Sequence, residues 1–203
     1  AAGNWTGTLL NGLLHHVPAI ERVPRAGIVH RIDKDTSGLL MVAKTLEAQT
    51  DLVRQLQERT VLRRYVALAW GRTPSQTIRS NIGRDPKDRL KMAVLSGQGK
   101  PAITHVVLNE TIDYERAMVS LVTCRLETGR THQIRVHLES VGCPLIGDTV
   151  YKKKVPTIAK EIAFSRGGQA LHAAILGFIH PKTGKKMVWE APLPDDLIEL
   201  AQS

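Results

Sequence analysis

A chain of 203 residues, 42% of them hydrophobic, can bury a substantial core, either as one domain or as two packed lobes. Its formal charge of +9 favours a polyanionic partner, nucleic acid first, but names no reaction. No apolar run reaches the roughly 18 residues of a membrane-spanning helix, and Cys124 and Cys143 have neither CxxC nor Cys/His ligand spacing, which argues against a membrane span, a disulfide scaffold or a zinc module.

In chain order, Leu9, Leu10, Leu13 and Leu14 recur at helical spacing between Gly7 and His15, and Pro18 and Pro24 then punctuate an expected exposed loop. Ile28-Val29 and Leu39-Leu40-Met41-Val42 are short apolar runs on either side of a polar insert, His30 to Gly38. Thr45 caps a predicted helix running to Arg59, with Ala48, Leu52, Val53 and Leu56 on one face. Tyr65 to Trp70, Ile103 to Leu108 and Met118 to Leu126 read as strands. Between Gly83 and Lys91 lies a basic loop with Arg84, Lys87, Arg89 and Lys91; it could reach a phosphate backbone or be a solvated turn. Tyr151 with Lys152, Lys153 and Lys154 allows the same two readings.

After Gly129 the pattern turns helical, with Ile134, Leu138 and Val141 on a core face and His132, Arg135 and Glu139 on a polar one. A hairpin is expected between Ala173–Ile179 and Met187–Glu190, followed by a helix from Asp195. Strands and helices in irregular order predict an α+β fold, a mixed and largely antiparallel sheet with packed helices, and residues 1–203 are read as one catalytic domain.

The insert His30-Arg31-Ile32-Asp33-Lys34-Asp35-Thr36-Ser37-Gly38 crowds cations and two carboxylates between apolar runs, which by itself is also what a solvated loop looks like. A second segment, Arg125-Leu126-Glu127-Thr128-Gly129-Arg130-Thr131-His132-Gln133-Ile134-Arg135-Val136-His137, breaks the tie. With it the chain resembles the RluA family of pseudouridine synthases, and Val23-Pro24-Arg25-Ala26-Gly27-Ile28-Val29-His30-Arg31 makes it similar to the RluD branch. Further matching pieces are Arg64-Tyr65-Val66-Ala67, Gly99-Lys100-Pro101-Ala102, Pro144-Leu145-Ile146-Gly147-Asp148, Gln169-Ala170-Leu171-His172-Ala173 and His180-Pro181. Ile32 stands where the family usually has leucine, a change that alters packing more than chemistry.

The resemblance implies an isomerase that converts uridine to pseudouridine in RNA, most naturally in 23S ribosomal RNA. It makes Asp33 the essential carboxylate, Tyr65 the aromatic that stacks on the target base and Arg135 the basic partner of Asp33. RNA contacts are expected from Arg31, Lys34, Thr36, Lys91, Arg130 and His132. The chemistry agrees: breaking the N1–C1′ bond, turning the uracil and rejoining it through C5 needs no metal, redox centre or other cofactor. A guanidinium beside Asp33 favours the ionised form that a nucleophile or base requires, and Arg135 supplies it without itself titrating. A base flipped from its stack regains stacking on an aromatic ring, for which Tyr65 is suited.

A cytoplasmic monomer is expected, as is the absence of the small RNA-binding domain that members of this branch usually carry upstream. Two other readings stand against this one. Asp33-Lys34-Asp35-Thr36 also satisfies the DxDxT start of Mg²⁺-dependent phosphatases, but His30 and Arg31 separate it from the strand it should follow directly, and Arg135 has no place in such a metal site. A non-catalytic RNA-binding module explains basic loops and a mixed sheet, but not a carboxylate that repels phosphate.

Overall fold

The computed structural model describes residues 4–114, 117–157 and 167–202. The chain divides into two compact units, one made of Ala1–Arg31, Leu40–Leu62 and Leu176–Trp189, the other of Ile32–Leu39, Arg63–Ile175 and Glu190–Ser203.

The first unit opens with α1 (Leu9–His16), where Thr8 and Asn11 form a reciprocal capping box. Asn11 thus does the work that Glu or Gln does in the commoner version of that motif. Residues 18–27, expected as an exposed loop, instead form a 3₁₀ turn over 18–22, with proline at its start where the missing N–H costs nothing, and a tight turn over 24–27 in which Arg25 and Ala26 are left-handed at φ 55° and 47°. They are held because Ile20, Val23 and Ala26 turn inward and pack with Leu13, Leu14, Val17 and Val42, apolar spacing too short-ranged to read as an element. Leu9 and Leu10 stay on the surface.

Helix α2 (Leu46–Gln57) begins where expected, with the Thr45 hydroxyl accepting from Ala48 N at 3.2 Å. It stops short of Arg59, whose backbone is left-handed at φ 61° and cannot continue a helix. Gln55, buried on this helix, donates to Ile179 O at 2.7 Å and accepts from Ile179 N at 3.0 Å, which fixes the end of the penultimate strand.

The second unit holds a sheet of strands β1 (Ser37–Gly38), β2 (Leu62–Trp70), β3 (Gln76–Arg84), β4 (Met92–Leu95), β5 (Lys100–Tyr114), β6 (Ala117–Leu126) and β7 (Leu171–Ile179). Their order is β1-β7-β2-β6-β5-β3-β4. The pairs β2/β6, β6/β5, β5/β3 and β3/β4 are antiparallel and β1 lies parallel to β7, so the sheet is mixed and mostly antiparallel. The last residues of β7 belong to the first unit, and β8 (Lys186–Glu190) pairs with β7. Helix α4 (Asp195–Gln202) starts at Asp195 as expected and buries Leu197 and Leu200.

Strands β3 and β4 went unread because Gln76–Arg84 offers only Ile78 and Ile82 to the interior and is otherwise polar. The basic loop is the turn between them. Strand β5 also runs well past Leu108, with a bulge between Leu108 and Glu110 that resets its register against β6.

Helix α3 (Gln133–Ser140) departs most from expectation. Every residue from Gln133 to Leu138 is buried, so Arg135 lies on no solvated polar face, and Val141, expected in the core, is exposed. An eight-residue helix set against a sheet has no outside at that depth; its polar groups must find partners within the protein. His137 does so: its Nδ1 lies 2.8 Å from Thr104 Oγ1 and its Nε2 2.9 Å from Ser80 Oγ.

Burial lowers the His137 pKa from 6.5 to about 4. The unfolded chain therefore binds a proton that the folded one rejects between those values. Stability is full above about pH 6.5 and falls as pH drops toward 4, by about 3 kcal/mol from this residue. Urea unfolding at pH 7.5 and 4.5 is expected to show that loss, and His137→Gln to flatten it. An unchanged pH dependence in the variant removes His137 as the cause.

Candidate active site

Asp33 is the first residue of a tight turn in which Thr36 N donates to Asp33 O at 3.0 Å and Asp35 takes a left-handed φ of 67°. Two features hold the turn in place. Buried Gln169 donates through Nε2 to Lys34 O at 2.7 Å and to Thr36 Oγ1 at 2.8 Å. Just beyond, Gly38 lies so close to Ala173 O that any Cβ would collide with it, so β1 can seat against β7 only as glycine. A short apolar-flanked insert thereby becomes a rigid mount for one carboxylate.

Helix α3 brings Arg135 to it. Arg135 Nη1 lies 3.6 Å from Asp33 Oδ2, with the two side chains 7% and 12% exposed. The rest of the guanidinium is committed to Asp148, Nε to Oδ2 at 2.7 Å and Nη2 to Oδ1 at 3.0 Å, a bidentate pair whose carboxylate side chain is 0% exposed. Asp148 Oδ1 also accepts from Val150 N and Tyr151 N, both at 2.9 Å. Burial works against the Arg135 charge, but the Asp148 hydrogen bonds and the charges of Asp148 and Asp33 outweigh it and raise the pKa. The Tyr151 ring backs the guanidinium, with Cζ 5.0 Å from its centroid.

The two carboxylates thus differ in kind. Asp148 receives four N–H donors and is saturated. Asp33 has an ion pair at 3.6 Å and, among the described residues, no hydrogen bond to its carboxylate. A carboxylate held by charge but not occupied by donors keeps its lone pairs for a ligand.

Tyr65, on β2, is 6% exposed and packs with Ile134, Leu138 and partly buried Ile32. Burial, with the Asp33 charge adding to it and Arg63 opposing, pushes its hydroxyl up to about 12. At neutral pH the phenol keeps its proton and can donate but not act as a base. Two residues earlier on the same face of the strand, Arg63 is also buried, donates to Glu127 O at 3.1 Å and pairs with no carboxylate among the described residues. Burial lowers its pKa. A Cβ at Gly129 would come within 2.7 Å of Arg63 Nη1, so a side chain there would have to displace the end of the guanidinium.

The residues expected to touch RNA separate into two groups. Arg31 and Lys34 are exposed, and Lys91, in the β3–β4 turn, is partly exposed and pairs loosely with Asp88 at 3.7 Å. Thr36 is buried, while Arg130 and His132 are partly exposed, and each of the three makes a hydrogen bond within the protein. Thr36 is 9% exposed with its hydroxyl on Gln169, Arg130 Nε donates to Pro101 O at 2.9 Å, and His132 Nδ1 lies 2.8 Å from Tyr151 Oη. The Tyr151 oxygen also accepts from Met92 N at 2.9 Å. Lys152, Lys153 and Lys154 are exposed beside the buried Tyr151.

No group of three His, Cys, Asp or Glu side chains converges as a metal site requires among the described residues. Among them, no helix is long and apolar enough to cross a membrane.

A family model described as RNA pseudouridylate synthase matches residues 13–140, which takes in Asp33, Tyr65 and Arg135. The chain belongs to that family. It is 55% identical over 206 residues to a Neisseria meningitidis protein named ribosomal large subunit pseudouridine synthase D, covering 98% of this chain and 54% of that one. A protein of the same name from Pseudomonas aeruginosa is 51% identical, with 98% and 63% covered. The chain thus spans between about half and two thirds of the length of these relatives. Among solved structures, human RNA pseudouridylate synthase domain containing 1 superposes with a TM-score of 0.68 at 32% identity over 82% of this chain and 68% of that one. The family membership accounts for the mixed sheet and leaves the phosphatase and the bare binding module without support.

Asp148, Tyr151, Gln169 and Arg63 were not singled out as site residues from sequence. Asp148 carried a signal: a carboxylate closing the apolar run Pro144-Leu145-Ile146-Gly147 must, if buried, find a cation. Arg63 and Tyr151 carried none, because basic neighbours made each look like part of a charged surface.

Proposed function

We propose that this chain is the catalytic domain of an RNA pseudouridine synthase that isomerises uridines of the large-subunit ribosomal RNA, working as a monomer in the cytoplasm without metal or cofactor. The observation that carries the reading is the Asp33 carboxylate, charge-paired with Arg135 and bearing no hydrogen bond among the described residues.

The net reaction exchanges an N1–C1′ bond for a C5–C1′ bond, and the proton lost from C5 is balanced by one gained at N1. No electrons enter or leave. An ionised carboxylate can serve this as nucleophile or base, and it gains from a countercharge that does not itself take up the oxygen lone pairs. Tyr65 is the ring assigned to the displaced base and carries a phenolic proton for hydrogen bonding; with 6% of it exposed, the base must displace part of its packing to reach a ring face. Arg31 and Lys34, exposed, and Lys91, partly exposed, are cations suited to phosphates.

The test uses large-subunit RNA labelled with tritium at uracil C5. Release of tritium to water, with pseudouridine recovered from the digested RNA, is the expected result. RNA from a strain lacking this gene should be the better substrate, since its sites are unmodified. No release from any labelled RNA overturns the isomerase; release only from other RNA classes overturns the ribosomal substrate.

A further inference from the structure

We propose that the first compact unit carries a second nucleotide site, a cavity that takes one unpaired base of single-stranded RNA together with its phosphate. The cavity, about 720 Å³, lies between the start of α2 and the β7–β8 hairpin, and none of its lining residues belongs to the Asp33 unit. That volume falls within the range of sites for small organic ligands.

Its walls combine three chemistries. Phe178 and Trp189, from the two strands of the hairpin, form a ring pair with centroids 4.9 Å apart and planes tilted by 33°. Trp189 is 38% exposed, although a large aromatic pair ordinarily closes over itself in a core. Lys44 and Lys182, both exposed, line the cavity beside this aromatic surface.

The polar groups discriminate between occupants. His180 Nδ1 accepts from Lys182 N at 3.2 Å and Thr183 N at 3.3 Å, so in the neutral ring Nε2 carries the proton and is a donor. Glu47 is the carboxylate among the lining residues, an acceptor for the ring or amino N–H of a base. An acidic peptide or an anionic lipid surface would meet the two lysines well but leave Glu47 opposed. A nucleotide uses all of it: a flat ring for the aromatic pair, N–H for Glu47, phosphate for Lys44 and Lys182. Aromatic faces that stack bases beside backbone-tracking cations are the common physics of single-strand binding. The proposal rests on RNA being the partner and is independent of what Asp33 does.

The test exploits the chain's three tryptophans. Trp70 is 3% exposed and Trp5 91% exposed, so in a Trp5→Phe background Trp189 is the accessible indole. A single-stranded uridine pentanucleotide is expected to quench its emission saturably. Lys44→Gln with Lys182→Gln should weaken binding roughly ten-fold and flatten the plot of log K against log salt by about 0.7, the contribution of one single-strand phosphate. Phe178→Leu should weaken it by roughly five- to a hundred-fold.

Asp33→Asn in the same background should leave the titration unchanged, which separates this proposal from the isomerase reading. Absence of quenching overturns it, as does quenching insensitive to the two lysine changes. Stronger binding of phosphatidylglycerol vesicles or of a polyglutamate peptide than of the pentanucleotide overturns it as well.

Discussion

Asp33→Asn is expected to abolish tritium release from C5-labelled uridine RNA, by at least about a thousand-fold, with little change in stability. The substitution keeps the shape of the side chain and removes the ionised oxygen. Because the Asp33 carboxylate takes no hydrogen bond among the described residues and its ion pair spans 3.6 Å, little folding energy rests on it. Asp35→Asn should keep most of the activity. Asp35 is exposed, and its φ of 67° is one that asparagine adopts readily. A DxDxT phosphatase would need both carboxylates and Mg²⁺, so EDTA treatment of the enzyme should leave the rate unchanged once RNA folding is controlled. Full turnover by Asp33→Asn, or equal loss in both variants, would refute the single-carboxylate account.

The parts of the molecule readable from sequence are those where one local rule decides. Thr45 begins a helix because a capping hydroxyl precedes amphipathic spacing, and the stretch from Tyr65 to Trp70 is a strand because it is apolar and β-prone before Gly71. Strand β3 obeys no such rule; its polar residues are strand residues only because β4 and β5 pair with them on either side.

The same limit applied at the site. Asp33 and Arg135 could be named from motif resemblance, but their environment could not. Helical spacing put Arg135 on the polar face of the helix, and depth in the fold makes that face buried and Arg135 a buried cation. Its partner Asp148 follows a turn after the helix and is recognisable only once both are known to be buried. Thr36 shows the converse, a polar residue in a charged insert whose hydroxyl is taken up by Gln169 inside the protein.

Asp148→Asn should cost both stability and activity, unlike Asp33→Asn. Asparagine can keep an oxygen for Val150 N and Tyr151 N, but its amide nitrogen then faces Arg135 Nε, donor against donor where the pair now spans 2.7 Å. Breaking a buried pair by changing one member leaves an uncompensated charge, a loss of about 3–5 kcal/mol in urea unfolding. The guanidinium released from its bidentate anchor no longer presents Nη1 to Asp33, so Asp148 is a positioning residue. Single-turnover rates at saturating RNA, on protein shown to be folded at low temperature, should fall roughly a hundred-fold, in the range of misplaced catalytic groups. Arg135→Met should approach the loss seen in Asp33→Asn, since the countercharge is gone altogether. Combining Arg135→Met with Asp148→Leu removes both buried charges and should recover stability relative to either single change, without recovering activity. That double variant is the discriminating measurement: recovered stability with restored turnover would mean that the ion pair serves the fold alone. Stability of Asp148→Asn within about 1 kcal/mol of the parent would mean that Asp148 does not hold Arg135.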